Sequence, residues 1–430
     1  MSQVQPRNRP SNRIEPIIER LHGLHPRLID LSLDRLERLL ARLGHPERQL
    51  PPVIHVAGTN GKGSTCAFLR AMAEASGLRV HVYTSPHLVW FNERFRIAGR
   101  LVSDAALAEA LEHIEQVNDG AAITVFEVIT AVGFHLFAQA PAELCILEVG
   151  LGGRGDATNV IRAPVACAVT SISMDHRELL GDTLAAIAAE KAGIAKRGVP
   201  LVTGEQPAEA LAVLSDAAGR TGAPLLARGR DWEIAEAGAG LRFTDARGTV
   251  ALPQPSLPGA HQRDNAGIAV AALRAALPVL ETAWAGLARA EWPARLQRLR
   301  GRLARLAPPG WEVWLDGGHN PGAGAALARH AAGWADRPLS LIVGMKQAKD
   351  AAEFLRPLLP HAAQVFAVQE PGQHLALPVE AIIAASRGVA TPGPTVAEAL
   401  KKLPVCSPSR VLICGSLYLA GEVLKADHEE

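Results

Sequence analysis

Gly58, Gly61 and Gly63 surround Lys62 in V-I-H-V-A-G-T-N-G-K-G-S, Val53 to Ser64, where an apolar β-type run breaks into a glycine-rich turn. Glycines at such positions let backbone N–H groups turn toward an anion, and a lysine among them supplies a point charge for β- and γ-phosphates. The stretch Thr65–Ala75 then reads as a helix whose N-terminus faces the same anion. Strand, turn, lysine and helix in this order predict a nucleotide-phosphate cradle. The segment departs from the standard P-loop because Gly63 separates Lys62 from Ser64, where Ser or Thr normally follows the lysine directly and ligates magnesium. A flexible glycine turn that binds nothing is the alternative.

Other residues invite chemistry at the same sheet edge. Ser85, in Ser85-Pro86-His87, follows the strand-like R-V-H-V-Y-T, and taken alone reads as a helix cap. Glu148 ends the apolar run C-I-L-E-V-G. A carboxylate buried there is costly unless paired or metal-bound, so magnesium ligation is the better account. His176, in S-I-S-M-D-H, is expected at the end of the next strand, where a structural role and a ligand role weigh evenly. G-L-G-G-R-G, Gly150 to Gly155, matches the dinucleotide fingerprint in form, with Asp175 at a suitable distance, and raises a nicotinamide-dependent oxidoreductase as the rival reading. The next residues, D-A-T-N-V-I-R-A-P from Asp156 to Pro164, are rich in turn formers where the fingerprint must open a helix. Lys191, in E-K-A-G-I-A-K, closes an Ala-rich helix beginning near Asp182-Thr183, and by spacing alone only complements the helix dipole.

The elements that must position these residues alternate. From Val53 to about Thr203, short β-branched runs exchange with Ala/Leu-rich helical patterns, which implies an α/β fold with a mainly parallel sheet. Leading helices are expected within Arg13–Leu43, a peripheral antiparallel piece over about Gly204–Pro258, a helix over about Asn265–Leu277 and a shorter Ala-rich helix after it. The alternation resumes after Trp292-Pro293 with W-E-V-W-L-D, L-S-L-I-V-G, Q-V-F-A-V and R-V-L-I-C-G, a second, Rossmann-like α/β domain beyond a hinge near residues 293–300. Residues 1–296 and 297–430 are the expected domains. Ligands bind beyond the carboxyl ends of strands in such sheets, where Gly58, Ser85, Glu148, His176 and Asp316 are all expected, so two facing edges make an interdomain cleft.

Composition excludes several classes. A chain of 430 residues with 48% hydrophobic residues can bury two or three cores, and a formal net charge of +1 argues against nucleic-acid or anionic-membrane partners. The Arg-rich first twenty residues read as a solvated tail. Cys66, Cys145, Cys167, Cys406 and Cys414 are scattered without a C-x-x-C pair, which suits reduced core thiols of a soluble cytoplasmic protein. No apolar stretch is long enough to span a bilayer.

Together these pieces resemble the folylpolyglutamate synthase / dihydrofolate synthase family of the Mur-ligase-like superfamily. The likeness runs in order from L-I-D-L-S-L-D-R, starting at residue 28, through G-T-N-G-K-G-S, Y-T-S-P-H-L, F-E-V-I-T-A, L-E-V-G-L-G-G-R, D-A-T-N-V, M-D-H-R-E-L-L-G-D-T, E-K-A-G-I, H-Q-R-D-N-A and L-D-G-G-H-N-P to G-S-L-Y-L-A-G.

The resemblance implies an ATP-dependent ligase that activates a pterin-bearing carboxylate and joins it to the amino group of L-glutamate. The acceptors would be 7,8-dihydropteroate and reduced folates. Asn60, Gly61, Lys62, Gly63 and Ser64 would hold ATP phosphates, with Asn265 on the adenine side and Arg295 and Asp316 reaching the nucleotide from the hinge and second domain. Ser85 and Glu148 would bind one Mg²⁺ and His176 a second. Lys191 aligns with the family's carbamylated lysine, which gives an oxygen-bearing anion able to ligate Mg²⁺; Lys62, Lys191 and His176 carry the catalytic roles. A monovalent cation is a further candidate. Thr124, Val125, Phe126 and Glu127 with Gly155, Asp156 and Ala157 match the segments that hold dihydropteroate, and His319 and Ser416 lie in motifs near the glutamate site. A monomer is expected on this resemblance.

The chain departs from the family in three places. Ala294-Arg295 replaces the usual Gly-Arg at the hinge, with Gly301-Arg302 as a competing alignment. Gly155 stands where leucine is usual, removing apolar surface from the pterin wall. The segment between Arg295 and Asp316 is longer than in many relatives. A monofunctional folylpolyglutamate synthase and a non-catalytic nucleotide sensor remain as alternatives beside the oxidoreductase.

Overall fold

The computed structural model describes residues 13–25, 29–278, 281–404 and 408–428. Two amphipathic helices lead, α1 (Ile14–His22) and α2 (Asp34–Arg42), burying Ile14, Ile17 and Leu21 from the first and Leu36, Leu39 and Leu40 from the second. The β-branched run becomes β1 (Val53–Ala57), buried at every position, and leads to α3 (Lys62–Ala75). That helix starts three residues before the expected Thr65, because Gly61 in the left-handed region (φ 92°) turns the chain directly into it.

The chain continues through β2 (Val80–Tyr83), β3 (Phe95–Ile97) and β4 (Arg100–Leu101) to α4 (Asp104–Asn118) and α5 (Val125–Ala138). Then come β5 (Leu144–Glu148), β6 (Ala166–Val169), α6 (Arg177–Leu180), α7 (Leu184–Ala192), β7 (Leu201–Thr203), α8 (Ala208–Thr221) and β8 (Leu225–Ala227). The eight strands form one sheet in the order β4-β3-β2-β5-β1-β6-β7-β8, parallel except where β3 pairs with β2 and β4. Alternate residues of one strand enter different cores: Ile54 and Val56 pack with α3, Val53 with α5. Chain order reverses beside β1, which sits between β5 and β6, so the crevice beyond its carboxyl end is a topological switch point.

The peripheral piece is smaller than expected. Only β9 (Trp232–Ala237), β10 (Gly240–Asp245) and β11 (Gly248–Leu252) form the antiparallel sheet, while α8 and β8 extend the large one. The buried face of α8 is Ala210, Leu214 and Ala218, too small a set to register as a hydrophobic stripe in sequence. The next helix, α9 (Ala260–Ala276), begins five residues before the expected Asn265, and the Ala-rich segment after it is a 3₁₀ helix over Glu281–Arg289.

The second sheet begins at β12 (Gln297–Leu299) and contains β13 (Glu312–Leu315), β14 (Leu339–Val343), β15 (Gln364–Ala367), β16 (Thr391–Pro392) and β17 (Arg410–Cys414). Its order is β12-β13-β17-β14-β15-β16, with only β12 antiparallel. α10 (Pro321–Ala332), α11 (Ala351–Leu355), α12 (Val379–Ala385), α13 (Val396–Lys401) and α14 (Leu417–Asp427) accompany it. Separate hydrophobic clusters cover its two faces.

Between the sheets, Ala294 (φ 54°) and Leu296 (φ 43°) both adopt left-handed backbone. Cys66, Cys145, Cys167 and Cys414 are buried free thiols; Cys406 and the first twelve residues lie outside the described residues. Among the described residues no helix is long and apolar enough to cross a membrane.

Candidate active site

The turn after β1 is built around its glycines. A Cβ on Gly58 (φ 141°) would stand 1.9 Å from Thr170 Oγ1, and one on Gly61 2.2 Å from Asn265 Oδ1. A Cβ on Gly63 would lie 2.6 Å from the Trp292 indole, so the glycine after the lysine lets this ring rest on the loop. No side chain caps α3, which leaves its first N–H groups for an anion. Lys62 Nζ curls back to donate to Gly58 O (3.1 Å) and Thr59 O (3.3 Å).

An open cleft of about 940 Å³ runs from this turn to the second sheet. Gly58 to Ser64, Ser85, Glu148, His176, Lys191, Asn265, Arg295, Asp316 and His319 all line it. Glu148 is buried, and burial pushes its carboxyl up to about 7 against the pull of Lys62; Ser85 N donates to its Oε2 at 3.2 Å. Ser64 Oγ and Ser85 Oγ are buried without a hydrogen-bond partner. Unpaired buried hydroxyls cost about 1–3 kcal/mol each, an expense that a phosphate or cation oxygen shell removes. An isolated acid and an unpartnered hydroxyl facing one cleft fit a divalent cation.

Lys191 reaches the same point from α7. Its side chain is 3% exposed and Nζ donates to Gly58 O at 3.0 Å. Burial, reinforced by the Lys62 charge, pushes the ammonium down to about 7. The turn holding it is locked by close packing: a Cβ on Gly153 would lie 2.6 Å from Glu190 O, and one on Gly193 2.4 Å from Arg154 Cβ. Within G-L-G-G-R-G it is Gly153 that seats the Lys191 turn, while Gly150 packs on Phe126, Gly152 on Leu180 and Gly155 on Leu31. The run leads into a short 3₁₀ turn, Ala157–Val160, which removes the support for a dinucleotide site there.

His176 does not end a strand. β6 stops at Val169, and the intervening loop runs beneath the phosphate turn, where Ser171 O accepts from Thr59 N (2.9 Å) and Asn60 N (3.2 Å). His176 adopts a left-handed backbone (φ 50°), and burial pushes its imidazole down to about 4 against the attraction of Asp175. Burial would raise the Asp175 carboxyl, yet His319, Lys349 and His176 together hold it well below the usual carboxylate range. Lys349 Nζ contacts Asp175 Oδ1, His319 Nε2 lies 3.5 Å from Oδ2, and Asn320 Nδ2 donates to Oδ2 at 3.0 Å.

The hinge presents Arg295 and Asp316. Asp316 accepts from Leu296 N (2.9 Å) and Gly318 N (2.7 Å), bracing the left-handed segment, while Arg295 Nη1 donates to Ala294 O at 2.9 Å. The competing Arg302 is exposed, with its backbone bonded to Asp427 O, away from the cleft.

Other expected residues stand behind these walls. Thr124 and Glu127 form the capping box of α5, and Arg35 holds Glu127 (Nε to Oε2, 3.1 Å). Val125 opens that helix, and the Phe126 ring lies 2.3 Å from where a Gly150 Cβ would be. Asp156 caps the turn containing Ala157, accepting from Thr158 and Leu151 N, and Gly155 faces Leu31. Ser416 caps α14 through Tyr418 N (3.1 Å) and Leu419 N (3.5 Å). Thr124 to Glu127, Gly155 to Ala157 and Ser416 do not line the large cleft, whereas Gly150 and Leu151 do.

Sequence reasoning left Asp175, Asn320, Lys349, Gln262 and Trp292 without roles in a ligase. Asp175 and Asn320 lie inside the family motifs M-D-H-R-E-L-L-G-D-T and L-D-G-G-H-N-P; Lys349, in K-Q-A-K-D, carries no pattern that marks it.

Two facing α/β edges, an anion-ready turn, and a buried acid and a depressed lysine lining one cleft fit an ATP-dependent amide ligase of the Mur-ligase type, the class the comparisons give. Residues 301–417 match the family model described as Mur ligase, glutamate ligase domain. The folylpolyglutamate synthase of Lacticaseibacillus casei is 36% identical over 411 residues, 90% of this chain and 92% of that protein. The E. coli FolC structure in complex with DHPP and ADP superimposes with a TM-score of 0.87 at 33% identity, covering 97% of this chain and 98% of that one. The Yersinia pestis bifunctional folylpolyglutamate synthase/dihydrofolate synthase complexed with AMPPNP and Mn ion gives 0.85 at 31%, covering 98% and 99%. The chain belongs to the folylpolyglutamate synthase / dihydrofolate synthase family.

Proposed function

We propose that this chain joins L-glutamate to 7,8-dihydropteroate, and to the γ-carboxylate of reduced folates, at the expense of ATP. The observation that carries the reading is one cleft in which the phosphate turn, Glu148 with Ser85, and Lys191 face Arg295 at the hinge and Asp316 and His319 of the second half. The E. coli relative solved with DHPP and ADP, and a bifunctional relative solved with AMPPNP and L-glutamate, support the nucleotide and glutamate parts of the reading. Residues 1–296 form the nucleotide-binding part and 297–430 the glutamate-ligating part; the left-handed Ala294 and Leu296 and the start of β12 at Gln297 support that division.

Amide formation needs an activated carboxylate. The acceptor carboxylate attacks the γ-phosphorus of ATP and releases ADP; the glutamate amine then displaces phosphate from the acyl phosphate. Asn60 to Ser64 hold the phosphates, with Lys62 placed to swing from its carbonyl partners onto them. Ser85 and Glu148 would hold one Mg²⁺ and His176 would contribute to a second, with carbamylated Lys191 able to supply a further oxygen ligand. Bound Mg²⁺ neutralises the charge of the transferring phosphoryl group. Carbamylation requires the free amine, which the depressed Lys191 provides near neutral pH. Thr124 to Glu127 and Gly155 to Ala157 bind the pterin end, while His319 and Ser416 serve the glutamate side. Asn265 contacts the adenine, and Arg295 and Asp316 approach the nucleotide as the halves close and exclude water. The protein works as a cytoplasmic monomer on small-molecule substrates.

A monofunctional folylpolyglutamate synthase is the second reading, favoured by Gly155. ADP release with MgATP and L-glutamate separates the two: turnover with dihydropteroate and tetrahydrofolate supports the bifunctional reading, turnover with tetrahydrofolate alone the monofunctional one. Lys62→Ala should abolish either; unchanged turnover would remove the phosphate-turn assignment.

A further inference from the structure

We infer that Lys346, held over the Tyr418 ring with His374 beside it, is a tail subsite at the rim of the cleft, binding the α-carboxylates of an acceptor that already carries several γ-linked glutamates; this rests on the ligase reading above. Each round of ligation to a γ-carboxylate leaves one free α-carboxylate behind. An acceptor that returns for another round therefore trails a chain with one negative charge per residue, and such a chain is recognised by cations that no protein carboxylate has already neutralised.

The start of α14 lies at that rim. Leu417 lines the cleft, and the next residue, Tyr418, is 39% exposed. Lys346 Nζ stands 5.0 Å from the centroid of the Tyr418 ring, and the His374 ring lies 5.5 Å from the same centroid. The three residues follow β14, β15 and β17, neighbouring parallel strands whose carboxyl ends form the ligand-binding edge of the second sheet. Their loops are locked together: Gln347 N donates to Leu375 O at 2.8 Å and Gln373 Nε2 to Met345 O at 3.1 Å.

The acids closest to this patch are already engaged. Glu422 Oε1 accepts from Lys425 Nζ at 2.7 Å, and Glu370 Oε1 from Val396 N at 2.6 Å. Among the described residues no carboxylate pairs with Lys346, and the aromatic face fixes its ammonium without neutralising it. The patch is also continuous with the reacting end. A Cβ on Gly421 would lie 2.1 Å from Leu88 O, so the loop carrying Ser85 and His87 packs directly on α14. Arg94 Nε donates to His87 Nδ1 at 3.0 Å; burial pulls its guanidinium down, while Tyr83, Tyr418 and Glu148 pull the other way, which places this charge between Glu148 and Tyr418.

The test is steady-state ADP release by the full chain with MgATP and L-glutamate, using 7,8-dihydropteroate and tetrahydrofolate bearing one, three or five glutamates, for wild type, Lys346→Ala, Lys346→Glu, Lys346→Arg and Lys346→Ala with His374→Ala. Lys346→Ala should raise the KM for the three- and five-glutamate acceptors about fivefold, the size an exposed ion pair supports. Lys346→Glu should raise them at least tenfold through like-charge repulsion, and Lys346→Arg should stay within about twofold of wild type. The double variant should raise the five-glutamate KM at least twofold beyond Lys346→Ala. In every variant the KM values for dihydropteroate, the one-glutamate acceptor, ATP and L-glutamate should stay within about twofold.

Long-tail KM values within twofold of wild type for Lys346→Glu overturn the inference. So does an equal rise for all acceptors, which marks a merely structural role, or a wild-type protein that turns over dihydropteroate or the one-glutamate acceptor but no longer one. Wild-type protein that releases ADP with neither dihydropteroate nor any tetrahydrofolate overturns the ligase reading itself.

Discussion

Asn60 of the phosphate turn and Asn320 at the start of α10 exchange two amide hydrogen bonds across the cleft, Nδ2 to Oδ1 at 3.0 Å and 2.9 Å. Each amide is also fixed from its own side. Asn60 Nδ2 donates to Ser173 Oγ (3.0 Å), and Asn320 Oδ1 accepts from Ala323 N (3.0 Å) as the cap of α10. A Cβ on Gly322 would lie 2.6 Å from Ser173 Oγ, so the helix start is pressed against the loop beneath the turn. The pair therefore joins the start of α10 directly to the phosphate turn.

Asn320→Ala removes three bonds to the first half, two with Asn60 and one to Asp175 Oδ2, together with the α10 cap, while Asn320→Asp keeps the cap but places a second carboxylate beside Asp175. Each lost bond is worth about 1 kcal/mol, so if even two of them contribute to the closed state, Asn320→Ala should lower kcat by about thirtyfold. Asn320→Asp should lower it further through like-charge repulsion and increase the radius of gyration seen by X-ray scattering. Equal kcat values for wild type and both variants would show that closure does not depend on this pair.

Glu148→Gln is expected to stabilise the metal-free protein while abolishing Mg²⁺-dependent turnover. The folded carboxyl lies near 7 against an ordinary 4.5, so the native state holds an extra proton between those pH values. The stability this gives is complete below pH 4.5 and is lost as the pH rises to about 7. At pH 8 the glutamine therefore gains about 2–3 kcal/mol over the ionised acid, read from urea unfolding. Wild-type Mg²⁺ binding should release a proton below pH 7, visible by calorimetry in two buffers.

For Lys191 the sign is opposite. Its ammonium is depressed from 10.5 to about 7, so between those pH values the unfolded chain holds the extra proton and stability rises with pH. The neutral amine also becomes available over the lower part of that range. Incubation with ¹³C-bicarbonate should give a carbamate ¹³C resonance that grows from pH 6 to 8 and vanishes in Lys191→Ala. Short carboxylates should partly restore turnover to that variant; no rescue would count against the carbamate.

Arg295 and Arg302 can be separated directly. Arg295→Ala should weaken ATP binding at least tenfold, since the side chain lines the cleft, whereas exposed Arg302→Ala should leave the ATP KM within twofold. The reverse pattern would restore the alignment through Gly301-Arg302.

Ala294→Gly tests the hinge. A non-glycine residue at φ 54° carries about 1 kcal/mol of strain, partly offset in the glycine variant by a more flexible unfolded chain. The expected gain is about 0.5 kcal/mol, read as a higher thermal midpoint; a lower midpoint would show that the alanine methyl, fully buried, contributes more by packing than it costs in strain.

Sequence alone determined the features that local backbone chemistry encodes. A tight turn needs glycines with left-handed backbone and parallel strands need unbroken apolar runs, so the turn Gly58 to Ser64, the apolar strands β1, β2, β5, β6, β7, β13, β14, β15 and β17, and the place of Glu148 at the end of β5 were legible, while the short strands β3, β4, β8, β12 and β16 were not. The alanine face of α8 was not, because small residues bury little area per position. Tertiary structure alone decided the pairings between distant segments: the Lys191 amine on the Gly58 carbonyl, Trp292 on Gly63, Asn60 with Asn320, and Leu31 against Gly155. It also decided that Arg295 rather than Arg302 faces the cleft. Such proximities have no period along the chain; they exist only where packing, burial and charge in the folded molecule hold two remote segments together.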